Sequence, residues 1–157
     1  MRDIKSQRRG SNVISGKAPA VRLAGISLTR KRKYWMIGSL MMCVGVVVLL
    51  FGMLAGIAMG IQHDFTLGPA HAHLNLVGGV LLFLFGLYYR LVPAAGRMLL
   101  AKIQGWLHII GGVLFPAGVA AVLLEGPAFE AAPIVGSLMV VAAMALFTVV
   151  VFRTSRA

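Results

Sequence analysis

Three of the chain's four histidines and one of its four acids fall in the thirteen residues from His63 to Asn75. Imidazole nitrogens and a carboxylate at this density suit the ligation of a transition metal. The same stretch runs on, without a break, into a segment apolar enough to cross a bilayer. Ionisable side chains at the mouth of such a helix are costly, so they point to a functional site. Spacing narrows the chemistry further. At about 100° per residue, His71 and His73 stand about 200° apart on an ideal helix, so one straight helix cannot aim both at a single ion. Either they serve two sites on opposite faces, or one of them is only hydrogen-bonded. His63 and Asp64, in the preceding loop, could fold back towards His71 and hold copper or zinc at the outer surface.

The elements that must position these residues are read from composition. Of 157 residues, 59% are hydrophobic and 12% charged, and the mean hydropathy is +0.91. That composition excludes an ordinary soluble globule and describes a single-domain integral membrane protein. The net charge of +11 imitates a nucleic-acid binder until it is located: ten of the fifteen basic residues precede Trp35. Residues 1–33 are therefore expected to be a disordered basic tail, ending in Arg30-Lys31-Arg32-Lys33, able to touch anionic lipid. No nucleic-acid partner is expected. A signal peptide is not expected either, because the following apolar run is too long for one.

Four apolar segments follow, at about 34–61, 69–92, 102–124 and 133–152, each long enough to span roughly 30 Å of hydrocarbon. The connections around 61–68 and 125–132 carry Asp64, Glu125 and Glu130 but no Lys or Arg. The remaining connection carries Arg90, Arg97 and Lys102, and the short tail 153–157 carries Arg153 and Arg156. The positive-inside rule then places both termini in the cytoplasm and the histidine cluster outside, with the chain in a bacterial cytoplasmic (inner) membrane. Tyr34, Trp35, Tyr88, Tyr89 and Trp106 fall near the inner ends, as an interfacial belt does.

Within the spans, Gly52, Gly56 and Gly60 form a four-residue repeat that admits a neighbouring helix. Gly78, Gly79 and Gly86 leave room either for a flat macrocycle or for ordinary helix packing. Gln104 and His108 share one face of the third span, and an interhelical hydrogen bond is the expected role ahead of proton relay. Pro116 is expected to kink that helix. The fourth span, polar only at Ser137 and Thr148, reads as a structural wall. Cys43, the one cysteine, is expected to be a small buried core residue.

The pattern His63-Asp64, six residues, His71-Ala72-His73, then an apolar run to Pro93 resembles the catalytic subunit I of the haem–copper oxidase superfamily, which includes the nitric oxide reductases. Lys102-Ile103, Ile110-Gly111 and Phe115-Pro116 continue the likeness into the next helix, so the motifs cover residues 63–116. The resemblance implies that His73 matches an axial ligand of a low-spin haem. It implies that His71 matches the proximal ligand of a neighbouring haem on the opposite helix face. His63 and Asp64 match positions near haem propionates, where a cation can also sit. The family's copper-centre histidines and tyrosine lie on helices absent from this chain, so oxygen reduction, and enzyme activity with it, is not expected. Asn75 has no counterpart.

The family subunit is built of three four-helix arcs about a pseudo-threefold axis, and this chain resembles one arc. The expectation is an all-α membrane protein that assembles as a homotrimer. It would bind haem b, since no Cys-x-x-Cys-His attachment motif is present, with His71 and His73 as iron ligands and a role in electron transfer or in handling a diatomic gas. The redox partner is not legible. The alternatives are a copper- or zinc-binding or delivery protein, and a non-catalytic accessory to an oxidase.

Overall fold

A computed structural model describes residues 36–155; the tail 1–33, the expected interfacial residues Tyr34 and Trp35, and Arg156 lie outside them. Four helices of 24 to 27 residues carry the fold: α1 (Met36–Gln62), α2 (Gly68–Leu91), α3 (Leu99–Glu125) and α4 (Ala131–Ser155). At 1.5 Å per residue each exceeds the roughly 30 Å of a bilayer core, so all four are long and apolar enough to span it. The protein is thus an all-α, multi-pass membrane protein.

The breaks between helices have local causes. His63 takes a left-handed backbone, φ 52°, and stops α1. Pro69 sits in the first turn of α2, where a missing N–H costs nothing. Val92, held extended by Pro93, ends α2 ahead of a short turn at Pro93–Gly96. Gly126, φ 90°, closes α3, and Pro127–Phe129 makes one 3-10 turn before α4. Pro116 is carried inside α3, which runs through it without interruption.

Consecutive helices are antiparallel. Gly38 packs on Gly86, Gly45 on Gly79, Gly52 on Asn75 and Gly56 on His71, in descending order along α2. α3 descends against α4 in the same way, with Gly111 on Met139 and Gly118 on Pro133, and this pair makes the longest run of contacts. The glycines of α2 are therefore used for helix packing. A methyl group at Gly78 would lie 2.7 Å from the Gly112 carbonyl oxygen, and one at Gly86 would lie 2.6 Å from that of Gly38. The seam on α1 is Gly38, Gly45, Gly52 and Gly56. Gly60 faces open space and does not extend it.

Two expectations are corrected. Cys43 is exposed on the outer side of α1, because the buried side of that helix is taken by Ile37, Gly38, Met41 and Gly45. Tyr89 is not an interfacial anchor: it is buried in the core with Ile37, Met41, Leu82 and Phe85, and its hydroxyl is satisfied internally. Trp106 is exposed, and Tyr88 is half-buried with its hydroxyl 2.7 Å from Thr154 Oγ1. Ser137 and Thr148 spend their hydroxyls on the Ile134 and Met144 carbonyls of their own helix, as a wall helix requires.

The antiparallel order gathers the His63–Leu67 and Gly126–Glu130 connections at one end of the bundle, with Asp64, Glu125 and Glu130. Arg90, Arg97, Lys102 and Arg153 gather at the other end.

Candidate functional site

His71 and His73 lie in the first, α-helical part of α2, Gly68–His73, so the 100° spacing applies to them directly. They point to different neighbours. The His71 ring rests on α1 at Gly56, where an added methyl would stand 3.0 Å from the ring's Cε1. The His73 ring turns to α3 and meets Phe115 edge-on, with centroids 4.6 Å apart and planes at 67°.

Their hydrogen bonds differ in kind. His73 Nδ1 lies 2.7 Å from the Pro69 carbonyl oxygen. A carbonyl only accepts, so Nδ1 carries the proton and the neutral ring holds its lone pair on Nε2. Nε2 makes no hydrogen bond among the described residues. This is how metal-binding histidines are prepared, with one nitrogen tied to a backbone oxygen and the other free to ligate. His71 is engaged instead. The Asn75 amide nitrogen is 3.1 Å from His71 Nε2, 3.4 Å from Nδ1 and 3.2 Å from the His71 carbonyl oxygen. The bond to that carbonyl fixes which end of the amide is nitrogen. One His71 nitrogen therefore accepts a hydrogen bond from the Asn75 amide. Gly52 makes this possible, since a methyl there would collide with Asn75 Oδ1 at 2.0 Å.

Immediately after His73 the backbone changes winding. Leu74–Leu81 form a π-helix of eight residues, longer than the single-turn bulges usual in helices and of the kind that marks functional sites. α3 braces this segment. His108, fully buried, donates from Nε2 to the Val77 carbonyl at 3.1 Å and packs edge-on against Phe85. One turn earlier, fully buried Gln104 accepts the Tyr89 hydroxyl at 2.9 Å. The expected interhelical role of both residues is thus observed.

His63 and Asp64 stand apart from this arrangement, exposed in the loop. Asp64 Oδ1 accepts the Thr66 amide at 2.9 Å and the Thr66 hydroxyl at 2.7 Å, and these two bonds hold its carboxyl below the usual carboxylate range. It ties the turn before α2 and does not cap the helix, whose N-cap is Leu67. Among the described residues no three His, Cys, Asp or Glu side chains converge as a metal-holding group, so the copper or zinc reading has no assembled ligand set there.

Reading the sequence did not find the role of Asn75. Its signal was present: a polar side chain inside a span, four residues after His71 and so directly above it. The π-winding left no comparable signal.

For haem, His73 fits as it stands, with a free Nε2 on a fixed ring. His71 fits only once the Asn75 amide gives up its nitrogen. The glycines considered as room for a macrocycle, Gly78, Gly79 and Gly86, are closed by backbone and by Leu49 and Met42. Comparison of the chain with protein-family models, with curated proteins and with solved structures finds no match in any of the three.

Proposed function

We propose that the chain is a haem b-binding protein of a bacterial cytoplasmic membrane, with both termini cytoplasmic and a role in electron transfer or in handling a diatomic gas. The observation that carries the reading is the His73 ring: Nδ1 is tied to Pro69 O and Nε2 is unengaged, at the mouth of an apolar span. The resemblance of His63 to Phe115 to haem–copper oxidase subunit I supports it, as does the turning of His71 and His73 to different neighbours. The segregation of acids and bases to opposite ends supports the orientation.

Closure of the glycine seams leaves the macrocycle no place inside one arc of four helices, so the reading places it at a face shared between copies. The chain forms a homotrimer in which His73 of one copy and His71 of the next hold each iron. Haem, when bound, would supply one-electron redox chemistry and a site for a diatomic gas. The chain's own residues do the rest. Pro69 O fixes the His73 tautomer, Phe115 fixes its plane, and Asn75 holds the His71 ring.

The test is the absorption spectrum and mass of the purified protein. A Soret band and a trimer are expected. His73→Ala and His71→Ala should each abolish low-spin haem, and mixing the two variants should restore part of it at interfaces that keep both ligands. Purified protein without a Soret band after haem addition, or a monomer that retains bis-histidine haem, would overturn the reading.

A further inference from the structure

The core of the bundle contains two polar atoms that are fully buried and unpartnered on adjacent turns of α3: Gln104 Nε2 and His108 Nδ1. Orphaned buried groups are rare in folded proteins, and inside a membrane no bulk water is at hand to satisfy them. Their partners elsewhere decide what each can do. Gln104 Oε1 accepts the Tyr89 hydroxyl, which leaves the Gln104 amide with two N–H donors and no acceptor. His108 Nε2 donates to the Val77 carbonyl, which leaves a neutral imidazole with an acceptor lone pair on Nδ1. One orphan donates and the other accepts.

They are also spaced for a single intermediary. Residues four apart on a helix share a face, about 6 Å apart along the axis. Two hydrogen bonds in series through one oxygen, at about 2.8 Å each, reach a distance of that order. A direct bond between the two side chains is not formed.

We infer that Gln104 Nε2 and His108 Nδ1 hold one buried water molecule, which accepts from the amide and donates to the imidazole. The water completes a line from the Tyr89 hydroxyl through Gln104, water and His108 to the Val77 carbonyl. That line joins the inner end of α2 to its π-helical segment by way of α3. The site is independent of the haem reading, since none of its residues is a proposed iron ligand.

Nuclear magnetic resonance on the full chain in detergent micelles tests it. The Gln104 side-chain amide should show a rotating-frame cross-peak of dipolar sign to water, and the His108 Nδ1 nitrogen shift should be that of an unprotonated, hydrogen-bonded acceptor. His108→Phe should abolish the amide cross-peak. Gln104→Met, which keeps the side-chain length, should move Nδ1 towards the shift of a free acceptor and serves if His108→Phe does not fold. A Gln104 amide with no cross-peak to water, or a scalar coupling directly between that amide and Nδ1, would overturn the inference.

Discussion

The two faces of α2 are finished in different ways. Towards α1 it presents Gly86, Gly79, Asn75 and His71, which meet glycines at every level, and the contacts are close and nearly all unbonded. Towards α3 it presents Tyr89, Phe85, the Val77 carbonyl, Gly78 and His73. There the neighbours are Gln104, His108, Gly112 and Phe115, two of them through directed hydrogen bonds. A glycine seam sets how near two helices come but resists sliding only weakly. Directed bonds in a low-dielectric core fix the axial register, because an unmade one is expensive. The α1 face thus sets distance, and the α3 face sets register.

Adjacent glycines, one on each face, give the sharpest break. Gly78→Ala puts a methyl 2.7 Å from the backbone oxygen of Gly112, which cannot move without shifting α3. Overpacking of this kind costs about 1–3 kcal/mol. Gly79→Ala meets only the Leu49 side chain, at 2.6 Å, which can rotate away, so its cost should be clearly lower. Thermal unfolding in detergent should rank Gly78→Ala below Gly79→Ala, and equal midpoints would show that the Gly112 backbone yields as readily as the Leu49 side chain.

Tyr89→Phe tests the register bonds. It strips the remaining partner from Gln104 Oε1 and leaves that fully buried amide with no protein partner at either end. The expected cost is about 1–2 kcal/mol, and a midpoint equal to that of the wild type would show that the bond carries no stability. Gly60→Ala lies beyond the seam with nothing within 4 Å, so relief of glycine's backbone entropy should stabilise α1 by roughly 0.5–1 kcal/mol. A loss of stability there would extend the α1 contact outward by one turn.

The smallest effect belongs to the loop that feeds both faces. Asp64 is held below its ordinary pKa by Thr66, so the turn gains from the ionised form above pH about 4 and loses that gain as pH falls through the lowered value. The Thr66 amide proton resonance should move abruptly in that acid window in the wild type and stay put in Asp64→Asn.

Helix number, extent and order were legible because each span is a long apolar run bounded by charge or by Pro and Gly. The span ends that lie inside the described residues fall within three residues of those read from hydropathy. The divergence of His71 and His73 was legible because the helix is α where they sit. The rotation of each helix about its own axis was not. Spans that face lipid are apolar on every side, so Cys43 outward and Tyr89 inward leave no imprint on the pattern of polarity. The winding of Leu74–Leu81 was hidden for another reason: its residues are all compatible with an α-helix, and the carbonyl that His108 takes is backbone, which sequence does not display.

The π-helical segment has a consequence for how this chain tolerates insertion and deletion. π-winding accommodates more residues per turn than α-winding, so Leu74–Leu81 holds residues that an α-helix of equal length would not. Removing one residue between Leu74 and Leu81 would let the segment rewind as α-helix. The tighter turn per residue of the α-helix would make up for the lost residue, so side chains on the His71 side would keep nearly their present direction relative to the Gly86 side. The segment acts as a phase buffer between two half-helices: length can shrink there by one residue with α1 and α3 still packed on the inner half and the histidine end still aimed at its present neighbours.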